Sequence, residues 1–171
     1  MMSGNGFEAL FASWEQHQPP PQSDGDTLPS HHPLCLGCGV KNPHGHHLEA
    51  RREGASTVVA RHTFDARHVG APGIAHGGAV ATVLDDLYGF LLYAIGNLAV
   101  TRKLEVEYLR PVLLDVEYSL RAVSTKPDGR KIRMSATLED VAGQVIARSV
   151  ALFLIVEIEH FTSHGMPDTA S

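Results

Sequence analysis

The residues best suited to chemistry lie in one stretch of the chain, His76 to Asp85, with the sequence HGGAVATVLD. Gly77 and Gly78 open an otherwise apolar run with helical spacing, and glycines allow backbone N–H groups to approach a ligand oxygen closely. Asp85 can take a proton from water or attack a carbonyl carbon. Backbone donors near a carboxylate in apolar surroundings favour the hydrolysis of an acyl group.

Two neighbouring carboxylates on this predicted helix must have different roles. Asp85 follows Gly78 by seven residues and therefore lies on nearly the same helix face. Asp86 is rotated by about 100° around the axis and should point elsewhere. We therefore predict that Asp85 is the general base or nucleophile, with a pKa raised by burial. The alternative, a structural carboxylate paired with an arginine, stays open.

Composition narrows the class of protein. The chain has 171 residues, 43% of them apolar, and a formal net charge of −5. This predicts one domain with a core and argues against a nucleic-acid partner, which requires a basic face. No apolar run approaches the length of a membrane span, and the N-terminus lacks the pattern of a secretory signal. Two cysteines make no disulfide framework, so we expect a cytoplasmic protein.

The periodicity of apolar residues predicts an α+β fold in which one long buried helix lies on a curved antiparallel sheet. The helix should span Gly78 to Ile95, after a Gly/Pro loop from His68 to Ala75. The strand-like segments are Thr57–Phe64, Thr101–Leu109, Val116–Val123, Ile132–Leu138 and Val145–Val156.

We predict three parts of the chain. Residues 1–33 comprise a helix with an apolar face over Phe7–Trp14 and a Pro-rich linker. Residues 34–157 form the organised domain, and residues 158–171 form a polar tail.

Several motifs together resemble the hotdog-fold thioesterases. They are His76-Gly77-Gly78 with Asp85, then Thr101, then Tyr108-Leu109-Arg110-Pro111. The branch that looks most similar is the phenylacetyl-CoA-thioesterase-like group, some members of which carry a leader like Cys35-Leu36-Gly37-Cys38-Gly39. The resemblance implies a hotdog fold, with a long helix wrapped by five or six strands. It also implies a homodimer, or a tetramer, with two equivalent sites at the subunit interface.

The same resemblance implies roles for single residues. The catalytic carboxylate falls on Asp85, the amide that polarises the thioester carbonyl falls on Gly77, and the hydroxyl that positions water falls on Thr101. Gly70 stands where several relatives have a polar residue, and His68 is the nearest candidate to replace it. The residues that we expect to contact the substrate are His76, Gly78, His68 and Arg110. Basic residues in the strand half, Arg110 among them, suit the phosphates of coenzyme A.

The Cys35-x-x-Cys38 pair raises the question of a metal. Nearby histidines make a Cys₂His₂ zinc site conceivable: His31, His32, His44, His46 and His47. A second CxxC pair is absent from the sequence, and the spacing of the histidines is irregular. The expectation is therefore an ordered Gly-rich loop, with neither metal nor cofactor.

Three functions remain to be weighed. The first is an acyl-CoA thioesterase whose acyl chain lies in a slot lined by Val80, Leu84 and Tyr88. The second is a hydratase or dehydratase of the same fold, but the catalytic pairs of such enzymes are missing: Val40 and Thr82 stand where acidic residues belong. The third is a protein that binds acyl-CoA without turnover.

Overall fold

One long helix and a six-stranded antiparallel sheet make up the fold in the computed structural model, which describes residues 23–157 and His160. The helix is α1 (Gly77–Ile95). The strands are β1 (Ala50–Arg52), β2 (Thr57–Thr63), β3 (Val69–Ala71), β4 (Ile74–Ala75), β5 (Ala99–Tyr108), β6 (Glu117–Ser124), β7 (Lys131–Glu139) and β8 (Val145–Ile155). The strand order in the six-stranded sheet is β1-β2-β6-β7-β8-β5, and a separate two-stranded ribbon pairs β3 with β4.

Helix α1 forms where its apolar spacing predicts it. His76 caps its N-terminus, and Gly96 ends it in the left-handed conformation, at φ 66°, which a residue without a Cβ adopts at no steric cost. Its apolar side chains pack against the sheet, and each fully buried large one contributes about 1.5–3 kcal/mol. By length and hydropathy α1 also has the properties of a membrane-spanning helix, which it shares with core helices of globular folds.

The sheet confirms the predicted strands and their faces. In β7, Ile132, Met134, Ala136 and Leu138 are buried in the core that also contains the apolar side chains of α1, while the residues between them are more exposed. Strands β6, β7 and β8 form the expected meander with short turns. Strand β5 is an edge: it pairs with β8, and its other side has no strand partner in the described part of the chain.

Two regions carry more structure than their composition predicts. The loop predicted over His68–Ala75 contains β3 and β4, and the short strand β1 precedes β2. The described part of the predicted linker lies against the sheet: Leu28 is 4% exposed, and its N–H donates to the carbonyl of Ala50. The predicted helix over Phe7–Trp14 lies outside the described residues, as does the predicted tail apart from His160.

The proposed acyl slot beside α1 is filled by protein. Val80, Leu84 and Tyr88 are at most 1% exposed, because they face the sheet rather than a groove. The Tyr88 hydroxyl is satisfied by the hydroxyl of Ser149 at 2.7 Å and by the Ser149 carbonyl at 3.1 Å. The slot assignment is therefore wrong for the chain in this conformation.

Three buried histidines form a cluster near the end of β2. His46, His62 and His68 are each 6–7% exposed, and His46 Nδ1 lies 3.3 Å from His62 Nε2. Burial, with repulsion from the neighbouring histidines, lowers the pKa of His46 to about 3 and that of His62 to about 4. The rings of His46 and His68 are stacked, 4.0 Å apart at 17°. A metal ion must lie near the plane of each imidazole that binds it, so two stacked rings cannot share one ion.

This cluster should make the fold sensitive to acid. Above pH 6.5 these histidines are neutral in both the folded and the unfolded protein. Below pH 6.5 the histidines of the unfolded chain take up protons, whereas His62 in the folded protein is protonated only near pH 4. Acidification from about pH 7 to pH 5 should therefore lower the free energy of unfolding. In His62→Gln this loss should be smaller by on the order of 1–2 kcal/mol.

Urea unfolding at several pH values measures this difference, since burial of the neutral imidazole is the cause. His44→Gln, at an exposed position, is the matched control and should keep the wild-type slope. Identical slopes for wild type and His62→Gln would contradict the interpretation.

Candidate active site

The predicted catalytic carboxylate and hydroxyl meet in the structure. The Thr101 hydroxyl donates to Asp85 Oδ1 at 3.0 Å, which joins the middle of α1 to the start of β5. The register of β5 against β8 shifts between Thr101 and Lys103, which leaves Arg102 as an extra residue. Such bulges re-aim a side chain. The contact brings together two residues that are 16 positions apart in the chain.

Asp85 is half-buried, and its surroundings favour proton exchange. Burial raises the pKa of Asp85, because a carboxylate loses hydration there, and the hydrogen bond from Thr101 partly offsets this. A carboxylate with a raised pKa is a stronger base than an exposed aspartate. It is therefore suited to accept a proton from a water molecule held beside Thr101.

The N-terminus of α1 leaves one backbone donor accessible. His76 Nδ1 accepts a hydrogen bond from the N–H of Gly78 at 2.9 Å, and the N–H groups of Ala79 and Val80 donate to the carbonyl of His76. The N–H of Gly77 has no hydrogen-bond partner among the described residues, and Gly77 is exposed. A free N–H at a helix N-terminus attracts a developing negative charge.

These contacts revise the predicted roles of two residues. His76 is a capping residue, since its ring nitrogen is occupied by the backbone. Gly78 was expected to contact the substrate, but its N–H is already used by that cap. The carbonyl of Gly77 accepts a hydrogen bond from the Tyr108 hydroxyl at 2.6 Å, which fixes this turn against β5.

The other two predicted substrate contacts lie elsewhere. The side chain of His68 belongs to the buried histidine cluster. Its backbone carbonyl accepts a hydrogen bond from the N–H of His76 at 2.7 Å. It therefore supports the loop before α1 and does not present a polar group at Gly70. Arg110 is exposed, lies two residues after the end of β5, and makes no ion pair with any described residue.

Two of the basic residues in the strand half line a cleft of about 420 Å³ on the sheet face opposite α1. Lys103 and Arg133 lie there beside Val150 and Leu152. Because Asp85 is on the other side of the sheet, this cleft is separate from the candidate active site.

A second polar cluster gathers around the neighbouring carboxylate. Asp86 Oδ1 lies 3.0 Å from His31 Nδ1 and 3.2 Å from Cys35 Sγ, and His31 Nδ1 lies 3.2 Å from Cys38 Sγ. Burial would lower the pKa of His31, but its contacts with Asp86 and Cys35 raise it to about 9. Hydrogen bonds from Cys38 and His31 lower the pKa of the Cys35 thiol. The hydrogen bond between the two cysteines raises the pKa of the Cys38 thiol, since Cys38 is the donor.

Sequence reasoning found part of this cluster. Cys35, Cys38 and His31 were candidates, and Asp86 was correctly predicted to point away from Asp85. The meeting of Asp86 with the cysteines, 51 residues upstream in the case of Cys35, depends on tertiary packing. His46 instead joins the histidine cluster.

Comparisons with known proteins show what this chain is similar to. Residues 72–147 match the family model of the Thioesterase superfamily. The acyl-coenzyme A thioesterase THEM4 of Mus musculus is 31% identical over 91 residues, which is 53% of this chain and 39% of that protein. The chain thus spans less than half the length of the curated relatives that it matches.

Solved structures establish the fold. The thioesterase superfamily protein RHA08564 superposes with a TM-score of 0.68 at 25% identity, covering 86% of this chain and 74% of the other. A hypothetical thioesterase from Streptococcus pneumoniae TIGR4, solved with coenzyme A, has a TM-score of 0.60 at 18% identity, covering 64% and 85%. The chain has the predicted hotdog fold, and its structural neighbours include thioesterase superfamily proteins. Over half of its length it is similar to an acyl-CoA thioesterase.

The hydrogen bond from Tyr108 to Gly77 should contribute measurably to stability. We expect Tyr108→Phe to lower the free energy of unfolding by about 0.5–1.5 kcal/mol, because one hydrogen bond is lost at a solvent-accessible position. Chemical denaturation measures the change.

Tyr88→Phe is the matched comparison, because it removes the same group from a fully buried site and leaves Ser149 without that partner. It should cost more, about 1–3 kcal/mol. A larger loss for Tyr108→Phe than for Tyr88→Phe would show that burial is not what separates the two contacts.

Proposed function

We propose that the protein is an acyl-CoA thioesterase in which Asp85 activates water and the N–H of Gly77 holds the thioester oxygen. The observation that carries the proposal is the hydrogen bond from Thr101 to a half-buried Asp85. This bond leaves the second carboxylate oxygen of Asp85 available to a water molecule. The accessible N–H of Gly77 supplies the complementary donor.

The reaction needs no redox partner. Asp85 takes a proton from water as the water oxygen attacks the carbonyl carbon, and the carbonyl oxygen becomes negatively charged. When the tetrahedral intermediate collapses, the C–S bond breaks and the electron pair leaves with sulfur. Asp85 returns the proton to the thiolate, so the products are a carboxylic acid and free coenzyme A. Direct attack by Asp85, through an anhydride, is the second route with the same products.

Related structures support the choice of residues. The S. pneumoniae protein has also been solved as two variants, in which a threonine and an aspartate are each replaced by alanine. Those two positions are 16 residues apart, the separation between Asp85 and Thr101 in this chain. The named activity of THEM4 points to the same substrate class.

A second copy of the chain is part of the proposal. Gly77 and Asp85 are eight residues apart on one helix, so about 12 Å of axis separates them. One thioester carbonyl with its attacking water bridges this separation poorly within one chain, because the water and the oxyanion donor each lie within about 3 Å of the reacting carbonyl. We propose a homodimer in which Asp85 works with the Gly77 of its partner. The open edge of β5 offers a surface for this pairing.

The proposal also concerns which acyl group the enzyme prefers. The similarity of the leader and HGG motifs to the phenylacetyl-CoA branch makes a phenylacetyl thioester a suitable first aromatic substrate, beside straight-chain acyl-CoAs. A cytoplasmic location stays a prediction.

Replacing Asp85 with asparagine tests the base. Asp85→Asn keeps the shape and the contact with Thr101 but cannot accept a proton, so we expect kcat to fall by about 10²–10⁴ with little change in thermal stability. Release of free thiol from a panel of acyl-CoAs, followed with a thiol reagent, measures the rate.

Asp128→Asn, in the exposed turn between β6 and β7, is the control and should keep wild-type turnover. The same panel separates the alternatives. Hydration of an enoyl group would indicate a hydratase, and binding without thiol release would indicate an acyl-CoA-binding protein. Near-normal turnover of Asp85→Asn would contradict the assignment.

Gly77 allows its backbone donor to be removed selectively. Proline is tolerated at the first position of a helix, and the extended His76, at ψ 134°, suits a residue before proline. Gly77→Pro deletes the N–H. Gly77→Ala adds a Cβ at the same place as the proline Cβ, about 3.3 Å from the Tyr108 hydroxyl, but keeps the N–H. We expect kcat of Gly77→Pro to be about 10²–10³ below that of Gly77→Ala.

Mixing the two inactive variants tests whether the site is shared. Random exchange of Asp85→Asn and Gly77→Pro subunits makes half of the dimers mixed, and each mixed dimer contains one intact site. Activity should therefore recover to about a quarter of wild type. No recovery after verified subunit exchange would place both groups in one chain and contradict the shared site.

A further inference from the structure

We propose that His31, Cys35, Cys38 and Asp86 bind one zinc ion, which fastens the loop of residues 31–38 to helix α1. The sequence led us to expect no metal, because the fourth ligand comes from the helix rather than from a second motif. The proposal does not depend on the thioesterase activity, since it concerns a different cluster of side chains.

The four side chains converge as metal ligands do. Their donor atoms all lie within 4.8 Å of one another, and three of the separations are 3.0–3.2 Å: His31 Nδ1 to Asp86 Oδ1, Cys35 Sγ to Asp86 Oδ1, and His31 Nδ1 to Cys38 Sγ. A tetrahedral zinc ion with bonds of about 2.0–2.3 Å requires ligand atoms about 3.3–3.8 Å apart. The three short separations need to widen by a few tenths of an ångström, and the other separations, all within 4.8 Å, need to change by at most about 1 Å to make room for the ion.

The donor set selects the metal. Two sulfurs, one imidazole nitrogen and one carboxylate oxygen suit zinc, whereas calcium and magnesium prefer oxygen ligands. Four protein ligands complete the tetrahedron, which is typical of a structural site and not of a catalytic one.

The surroundings support a bound cation. Asp86 Oδ2 is buried without a hydrogen-bond partner among the described residues. The cost of removing this carboxylate from water is therefore only partly offset by its contacts in the protein. Cys38 Sγ receives hydrogen bonds from the backbone N–H of His31 at 3.2 Å and from the hydroxyl of Ser30 at 3.3 Å. Such donors stabilise the thiolate that binds a metal.

Glycines hold the loop close enough to the helix. The ring of His31 lies directly over Gly89, where a Cβ would approach Cε1 to 2.6 Å. A side chain at Gly37 would overlap Asp86. The ring of His31 also packs beside Phe90 and Tyr93, with centroids 4.6 and 5.1 Å away. The nitrogen that remains to face the ligands is Nδ1.

Metal content tests the proposal directly. The full chain, purified without a histidine tag from zinc-supplemented medium, should contain about one zinc per chain by mass spectrometry. Cys35→Ser combined with Cys38→Ser, and Asp86→Asn separately, should reduce zinc at least tenfold. The matched control is His46→Gln, which removes a buried histidine from the other cluster and should retain the metal.

Cobalt substitution keeps the test independent of variants that fail to fold. The wild-type chain loaded with Co²⁺ should show thiolate-to-cobalt charge transfer and intense visible bands of a tetrahedral ion. Less than a tenth of a zinc per reduced wild-type chain after loading would overturn the proposal, as would full zinc in the double cysteine variant. A Cys35–Cys38 disulfide that persists under mild reduction, without metal, would overturn it too. None of these measurements uses a thioester, so failure here is distinguishable from loss of thioesterase activity.

Discussion

The structure depends on the burial of one face of α1 against the curved sheet. Leu84, Leu87 and Leu91 are fully enclosed, so the helix can neither rotate nor slide without exposing apolar area. This constraint fixes where every other helix residue points. Since consecutive residues differ by about 100°, the two carboxylates beside Leu84 face different neighbours. Asp85 meets β5, and Asp86 meets the loop of residues 31–38.

The N-terminus of the same helix gains its properties from the loop before it. The backbone of His68 holds that of His76, whose ring then caps the N–H of Gly78. Capping satisfies one of the free N–H groups at the start of the helix and leaves that of Gly77 for a ligand. The histidine of the HGG motif is therefore a capping residue, whereas the glycine beside it carries the N–H that we propose as the oxyanion donor.

The two groups of the proposed mechanism that lie on α1 are thus held by contacts from other elements. The buried histidine cluster supports the loop, and Tyr108 connects the first turn of α1 to β5. A bulge in β5 directs Thr101 at Asp85. Because α1 spans about 12 Å between Gly77 and Asp85, the helix that positions both groups also keeps them apart, and a second subunit would reunite them.

The sequence alone determined the elements and the principal candidates. Apolar periodicity located α1 and the four long strands after it, since burial of one face is written in the spacing of the residues. The HGG motif, Asp85 and Thr101 pointed to their chemistry through their types and their order. Tertiary structure decided three points that the spacing of residues cannot predict: Tyr88 packs in the core, His68 is buried, and the N–H of Gly78 donates to the capping ring of His76. It also decided that Asp86 meets Cys35 across 51 residues, because such a contact follows from how loop and helix pack and not from local preference.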